Sequence, residues 1–556
     1  MHEQGDVTLQ TLLLHTENPA DIEQAGAILR DGGLVAIPTE TVYGLAADAL
    51  NPEAAKAIFA AKGRPADNPL IVHICDLNQW PELVREIPES AWRLAKAYWP
   101  GPLTIILPRA DCIPDAVSAG LPTVAVRFPS HPAAQAVIRA SGCPLAAPSA
   151  NLSGKPSPTT AAHVMEDMDG RIDAVLDGGP CDVGVESTVI TLATQPPRLL
   201  RPGGITLEQL QAVLGEVEVD PAVTHQLAAG VRAASPGMKY KHYAPKAQVT
   251  MLSGTSEQFV SFVNQWAGRP VRAAALCYEE EKDRIRIPAI SSGKSDDLAA
   301  QAQHLFDALR RVDDDLHASC AFAHCPPQEG VGLAVYNRLV RAAAFHQIDL
   351  TPRVIGLTGP TGGGKSVVSD HLRALGCVII DCDQIAREAV RDADVLKNLC
   401  AAFGADILDE DGALIRRRLA ERAFASQETT QKLDDITHPW IMARVGEQIR
   451  AAQKLPVPAV VVDAPQLFEA HGESLCDCVL VVTAPQEERL RRICARDGLT
   501  REEALRRMSI QLSEEEFLRR ADCVIHNLNL QDTLAQAEAF LRSMNPYGGT
   551  ADEAIH

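Results

Sequence analysis

Residues 359–366 read GPTGGGKS. Glycines at this spacing, closed by a lysine and a serine, match a loop whose backbone N–H groups wrap a phosphate chain. Gly362, Gly363 and Gly364 remove the Cβ atoms that would block such an approach. In that loop Lys365 reaches the β- and γ-phosphates, Ser366 offers its hydroxyl to Mg²⁺, and Val367 follows on the same turn. RVIGLTG before it reads as a buried strand. SVVSDHLRALG after it reads as a helix ending on Gly376, whose N-terminus adds partial positive charge. Phosphoryl transfer also needs a base for the acceptor and a carboxylate near the metal. Asp381 and Asp383 in IIDCDQIAREAV, and Asp463 in VVVDAPQLFE, follow apolar strands. In a parallel α/β sheet that edge is where ligands bind. Taken singly, each Asp is as readily a helix N-cap. The arginines of ERLRRICARDGLTREEALRRM divide between lid cations and a solvated helix face.

A second set of unusual residues lies toward the amino terminus. PTETVYGLAADA (residues 38–49) carries hydroxyls and a carboxylate. KGRPADNPLIVH (62–73) puts two cations and an Asn on a proline-stiffened loop. APSANLSGKPSPT (147–159) is rich in Ser and Asn. Rigid loops with cations and amides suit a fixed polyanion pocket. Arg127, closing TVAVRFP, suits a carboxylate gripped bidentately. These residues point to an anionic ligand, a nucleotide first of all, without giving the reaction. Ordinary turn chemistry is the competing reading.

The elements that must carry these residues alternate between apolar strands and helical patterns. GLVAIP, LIVHI, TIILPR, TVAVRF, AVLD and STVITL are strand candidates. Residues 20–31 and 53–62 are helix candidates, and together they imply a mixed α/β domain over 10–215. The polar, basic, proline-bearing stretch SPGMKYKHYAPKA marks 216–247 as a linker. A small Rossmann-like α/β domain follows over 248–348, with strands VTMLSG and RAAALCY, a helix near 296–311, and a helical end, GLAVYNRLVRAAAFHQI. Beyond Pro352 the strand–helix alternation implies a parallel sheet over 353–545.

Composition agrees. With 556 residues the chain holds three or four domains at roughly 100–200 residues each. Apolar residues make up 46% and aromatics only 4%, so aliphatic and Ala packing must fill the cores. A net charge of −20 argues against a broad basic face, so no stable direct binding of nucleic acid is expected. No apolar run is long enough for a membrane span and no secretory leader is visible, so a cytoplasmic location is expected. Fourteen cysteines without a CxxC pair are expected to be reduced, mostly buried thiols.

GLTGPTGGGKS, IDCDQIARE, ITHP, VVDAPQLFE, ARDGLT, RRMSIQ and ADCVIHN together resemble dephospho-CoA kinase. That resemblance implies transfer of the ATP γ-phosphate to the 3′-hydroxyl of dephospho-CoA. It assigns ATP to Gly362 through Val367, and the role of base to Asp383. Asp381, His438, Phe468, Arg496 and Arg507 are assigned to the acceptor and lid, and Ser366 with Asp463 to the Mg²⁺ shell. Three positions depart from the family. Val367 stands for the usual Thr, Gln466 for an apolar residue, and Phe517 for a lysine expected in the lid.

The amino-terminal segments resemble threonylcarbamoyl-AMP synthase, the YrdC-type domain. The resemblance is carried by the Lys-x-Arg of Lys62 and Arg64, the Ser-x-Asn of Ser149 and Asn151, LDGG, ESTVI and LLRPGGIT. SPGMKYKHYAPKA and GLAVYNRLVRAA extend it to the linker and carboxy-terminal domain of the long form. It implies condensation of L-threonine, bicarbonate and ATP, with Mg²⁺, into threonylcarbamoyl-AMP and pyrophosphate, a step toward threonylcarbamoyladenosine in tRNA. Downstream tRNA-modifying proteins are then conceivable partners. Lys62, Arg64, Asn68, Thr123, Ser149, Asn151 and Arg201 are assigned to ATP, and Thr41, His73, Arg127 and Ser187 to threonine. Tyr243 is the gate over the nucleotide. The alternatives are an RNA-binding module in the amino-terminal half, and a kinase for another metabolite or an inactive scaffold in the other.

Overall fold

The structure is a computed structural model that describes residues 9–66, 68–226 and 243–544. Half of the expected linker, residues 227–242, and the last residue of the expected kinase domain lie outside the described residues. The chain divides into two compact units. One comprises Met1–Ser253 with Phe262–Asp349, and the other Gly254–Ser261 with Leu350–His556.

The first unit holds an eleven-stranded mixed sheet and a separate five-stranded parallel sheet. In the large sheet the register matters most. Ile71–His73 runs parallel to Thr123–Arg127 and pairs His73 with Arg127. Leu103–Pro108 runs antiparallel to it and pairs Thr104 with Arg127. Thr188–Thr191 lies parallel beyond, with Thr188 opposite Leu103, Arg198–Arg201 follows with Arg201 opposite Val189, and the short strand Glu218–Val219 closes the row. Apolar residues on both faces keep this part of the sheet buried under helices.

The smaller sheet is built from Gln248–Ser253, Ala273–Cys277, Ala289–Ser291, Cys320–His324 and Gln347–Asp349. Leu298–Asp314 and Gly332–Ala342 pack on it, and their apolar faces share a core with Val42, Val185 and Tyr243 of the catalytic region.

The second unit is a five-stranded parallel sheet. Arg353–Thr358 is central, flanked by Ala459–Asp463 and Cys478–Thr483, with Val378–Asp381 and Cys523–His526 at the edges. No helix among the described residues is long and apolar enough to cross a membrane.

Three expectations need correction. The segment after Tyr43 is a strand, Gly44–Asp48, buried between two neighbours. Its Ala-rich sequence lacks the β-branched residues that mark strands. The stretch ending at residue 348 is not helical throughout. Gly332–Ala342 stops, Ala344 and Phe345 adopt positive φ, and Gln347–Asp349 becomes an edge strand. All fourteen thiols are free as expected, but only four are buried, nine are half-buried and Cys112 is exposed.

Candidate active sites

In the first unit an open cavity of about 710 Å³ lies at one end of the strand row just described. Lys62 is the last residue of the helix Pro52–Lys62, which Gly63 terminates in the left-handed conformation. Its Nζ donates to the carbonyls of Ser149 and Asn151, so the helix end and the Ser/Asn loop are tied together. Burial, helped by the charge of Arg64, lowers its pKa to about 7. Ser149 Oγ donates to Asn151 Oδ1 (2.6 Å), and Asn151 Nδ2 donates to the carbonyls of Leu152 and Lys155. Arg64 lines the same wall. Asn68 is buried nearby without lining the cavity, and Thr123 sits at the far end of its strand from Arg127.

The opposite wall is ionic. Arg127 Nη1 donates to Thr41 Oγ1 (2.9 Å), and its Nη2 lies 2.7 Å from Glu40 Oε1. Burial works against the charge on Glu40, but Arg127 outweighs it and holds the carboxyl below the usual range. His73 donates from Nδ1 to the Ile71 carbonyl (3.1 Å). Burial and the nearby Arg127 push its pKa down to about 3, so it is neutral. Ser187 Oγ bonds Thr104 Oγ1 (2.7 Å) and accepts from Arg201 Nη2 (3.1 Å). Tyr243 lines the cavity from a backbone φ of 65°, a conformation that costs a tyrosine about 1–3 kcal/mol. Glu186 also lines this pocket, and Glu40 pairs with Arg127 behind its wall; neither was singled out from sequence. The available signal was a carboxylate directly before each selected hydroxyl, in otherwise apolar segments.

In the second unit residues 359–367 form the floor of an open cleft of about 2480 Å³. A side chain at Gly359 would collide with the Val482 carbonyl, and one at Gly364 with the Asn527 amide. The loop's own carbonyls are also held from outside. Asn527 Nδ2 and Arg492 Nη1 donate to Gly363 O, and Arg489 Nε donates to Thr361 O. Lys365 begins the helix Lys365–Ala374 and pairs with Asp463, which ends its strand in register with Asp381. Ser366 and Asp383 face the cleft. The surrounding protein raises the Asp383 carboxyl; Lys365 opposes this, and Asp381 and Asp463 add to it. Asp381 itself N-caps the helix Cys382–Ala389, accepting from Gln384 N (3.0 Å).

Arg496 and Arg507 line the cleft, and both bond the carboxylate of Asp497. His438 lies in the long helix Gln427–Ala452, 3.4 Å from Asp434, and is not among the residues lining the cleft. Phe468 is buried in the core against Phe517, with the Arg520 guanidinium over its ring. Phe517 is fully buried, so the residue that departs from the expected lysine faces the core and not the nucleotide. Arg489, Arg492 and Asn527 grip the phosphate loop without having been singled out; Arg492 was visible only as one cation in a crowd.

Comparison with known proteins follows the same division. The family described as telomere recombination matches residues 27–203, and the threonylcarbamoyl-AMP synthase carboxy-terminal domain matches 205–344. Dephospho-CoA kinase matches 353–532. A threonylcarbamoyl-AMP synthase of Bacillus subtilis is 49% identical over 332 residues, 59% of this chain and 94% of that protein. A dephospho-CoA kinase of Corynebacterium diphtheriae is 42% identical over 183 residues, 33% of this chain and 92% of that kinase. The crystal structure of Pyrococcus abyssi Sua5 complexed with L-threonine matches at a TM-score of 0.56 and 42% identity, covering 61% of this chain and 99% of its own. The chain therefore belongs to two enzyme families in succession, threonylcarbamoyl-AMP synthase and then dephospho-CoA kinase, fused in one polypeptide.

Proposed function

We propose that residues 10–215, with the linker 216–247 and the domain 248–348, condense L-threonine, bicarbonate and ATP into threonylcarbamoyl-AMP and pyrophosphate. Residues 353–545 then phosphorylate the 3′-hydroxyl of dephospho-CoA. The supporting observation is that each cavity gathers the charges its reaction needs from separate elements at one sheet edge.

In the first site Arg127 takes the threonine carboxylate, exchanging Glu40 for it, and Thr41 and Ser187 supply hydroxyls. Neutral His73 lines the threonine side of the pocket without adding charge beside Arg127. Lys62, Arg64 and Arg201 face the triphosphate with Ser149 and Asn151. As a carbamate oxygen attacks the α-phosphorus and pyrophosphate leaves, these fixed cations stabilise the growing charge. Tyr243 keeps water from the labile carbamate. No side chain forms a covalent bond to substrate.

In the second site the backbone N–H groups of residues 362–367 cradle the β- and γ-phosphates, and Lys365 exchanges Asp463 for them. Asp383 takes the proton of the acceptor hydroxyl, and burial, which raises its carboxyl above the ordinary range, strengthens it as a base. Arg492, Arg496 and Arg507 close over the phosphates. The donor set fits Mg²⁺, which takes one or two protein oxygens and fills its shell with phosphate and water. Ser366 and Asp463 would hold it, and when bound it would neutralise phosphate charge.

The test is to incubate the purified chain with Mg·ATP and each acceptor set. Dephospho-CoA should yield CoA and ADP in equal amounts, and threonine with bicarbonate should release pyrophosphate. Absence of CoA in protein that still releases pyrophosphate would overturn the kinase reading alone.

A further inference from the structure

Arg338 belongs to the helix Gly332–Ala342 of the smaller parallel-sheet domain, and its side chain is completely buried. It does not line the synthase cavity. Its bonds nevertheless go to Glu186, which does, and to Pro202, beside Arg201, which also does. Nε donates to Glu186 Oε2 (2.8 Å) and Nη2 to the Glu186 carbonyl (3.3 Å). Nη1 donates to the Pro202 carbonyl (2.8 Å) and to Asn337 Oδ1 (2.9 Å). Glu186 immediately precedes Ser187, and Pro202 immediately follows Arg201. Those two are in turn bonded to each other, through Arg201 Nη2 to Ser187 Oγ and Arg201 Nε to the Ser187 carbonyl.

The same guanidinium lies 5.9 Å from the centroid of the Tyr243 ring, and the Phe306 ring lies 5.1 Å from it. The other oxygen of Glu186 accepts from Ser157 Oγ (2.5 Å), on the Ser/Asn loop. One arginine from outside the catalytic fold thus bonds Glu186 on the cavity wall, reaches the Arg201 strand through Pro202 and lies near the Tyr243 ring. A planar fork with fixed donor directions sets position as well as charge.

We propose that Arg338 is a positioning residue of the synthase site, setting Ser187 and Arg201 through Glu186 and Pro202 and backing the Tyr243 ring. This rests on the synthase reading of that cavity. It gives the smaller domain a task within the reaction: its helix completes the catalytic wall.

The test uses the full chain and the substitutions Arg338→Gln and Arg338→Lys. Threonine- and ATP-dependence of pyrophosphate release is measured beside near-ultraviolet circular dichroism and urea unfolding. A folded Arg338→Gln should show a KM for threonine raised on the order of 10–100-fold, the scale of a small misplacement of reacting groups. CoA formation by the same sample should be unchanged. Arg338→Lys should recover only part of the loss, because an ammonium restores the charge beside Glu186 but not the fork. Lost maximal rate at unchanged KM, tracking a lost folded fraction, would reduce Arg338 to a structural role and overturn the proposal. So would KM values for threonine and ATP within twofold of the parent. If Arg338→Gln does not fold, the same criteria applied to Arg338→Lys decide. A parent chain that releases no threonine-dependent pyrophosphate sinks the synthase reading itself, before any substitution is made.

Discussion

Lys62 shows how far one side chain's chemistry is set by where its helix stops. Gly63 ends the helix, the ammonium turns inward, and three nearby oxygens receive it. Its folded pKa of about 7 lies below the ordinary 10.5, so the charge that phosphates need is present below about pH 7 and lost above it. The synthase kcat/KM for ATP should therefore fall above pH 7, by up to about tenfold per unit, and Lys62→Gln should flatten that limb. For stability the sign reverses. Between 7 and 10.5 the unfolded chain binds the proton that the folded one has released, so this group's contribution rises with pH across that window. Asp383→Asn should lower the rate of CoA formation by about 10²–10⁴-fold while leaving ATP affinity nearly intact, checked by steady-state kinetics and nucleotide titration. Lys62, Arg127 and the phosphate loop were legible because their types and spacing already state a chemistry. Glu40 and Glu186 were not, because a carboxylate's partner comes from a distant part of the chain: Arg127 for one and Arg338 for the other.

At the level of elements, the apolar runs of the parallel sheets announced themselves, since strands buried on both faces read as continuous hydrophobic segments. Gly44–Asp48 did not, and neither did the short edge strand Gln347–Asp349, two of whose three residues face solvent. Phe517 illustrates the same limit. Set among Glu and Arg residues it reads as a lost lid cation, yet it fills the core against Phe468 and Leu467. Its removal is a cavity mutation. Phe517→Ala should destabilise the second unit by about 3–5 kcal/mol, seen as a lower urea midpoint for its transition. Restoring the expected lysine should also destabilise it, because the ammonium would be buried with no carboxylate bonded beside it. A Phe517→Lys protein as stable as the parent would show that the helix Glu514–Arg520 can turn this position toward the cleft.

For the molecule as a whole, two ATP-consuming sites lie in different compact units and share no residue. Lys365→Ala should abolish ADP formation with dephospho-CoA and leave threonine-dependent pyrophosphate release intact, and Arg64→Ala should do the reverse. Either change silencing both reactions in folded protein would refute independent sites. The order of the two families along the chain was legible from motifs alone; the dependence of the first catalytic wall on a helix of the smaller domain was not, because nothing local marks Arg338 as belonging there. That dependence has a consequence for how the protein is made. Glu186 and Arg338 are 152 residues apart. At about 5–20 residues per second, the carboxylate leaves the ribosome on the order of 10–30 s before its counterion. Throughout that interval Glu186 has Ser157 and the charge of Arg201 but lacks the Arg338 fork, so its wall near Ser187 is unfinished until translation has passed the smaller domain. Codon choice or pausing between the two positions would set how long that half-finished surface is presented to chaperones.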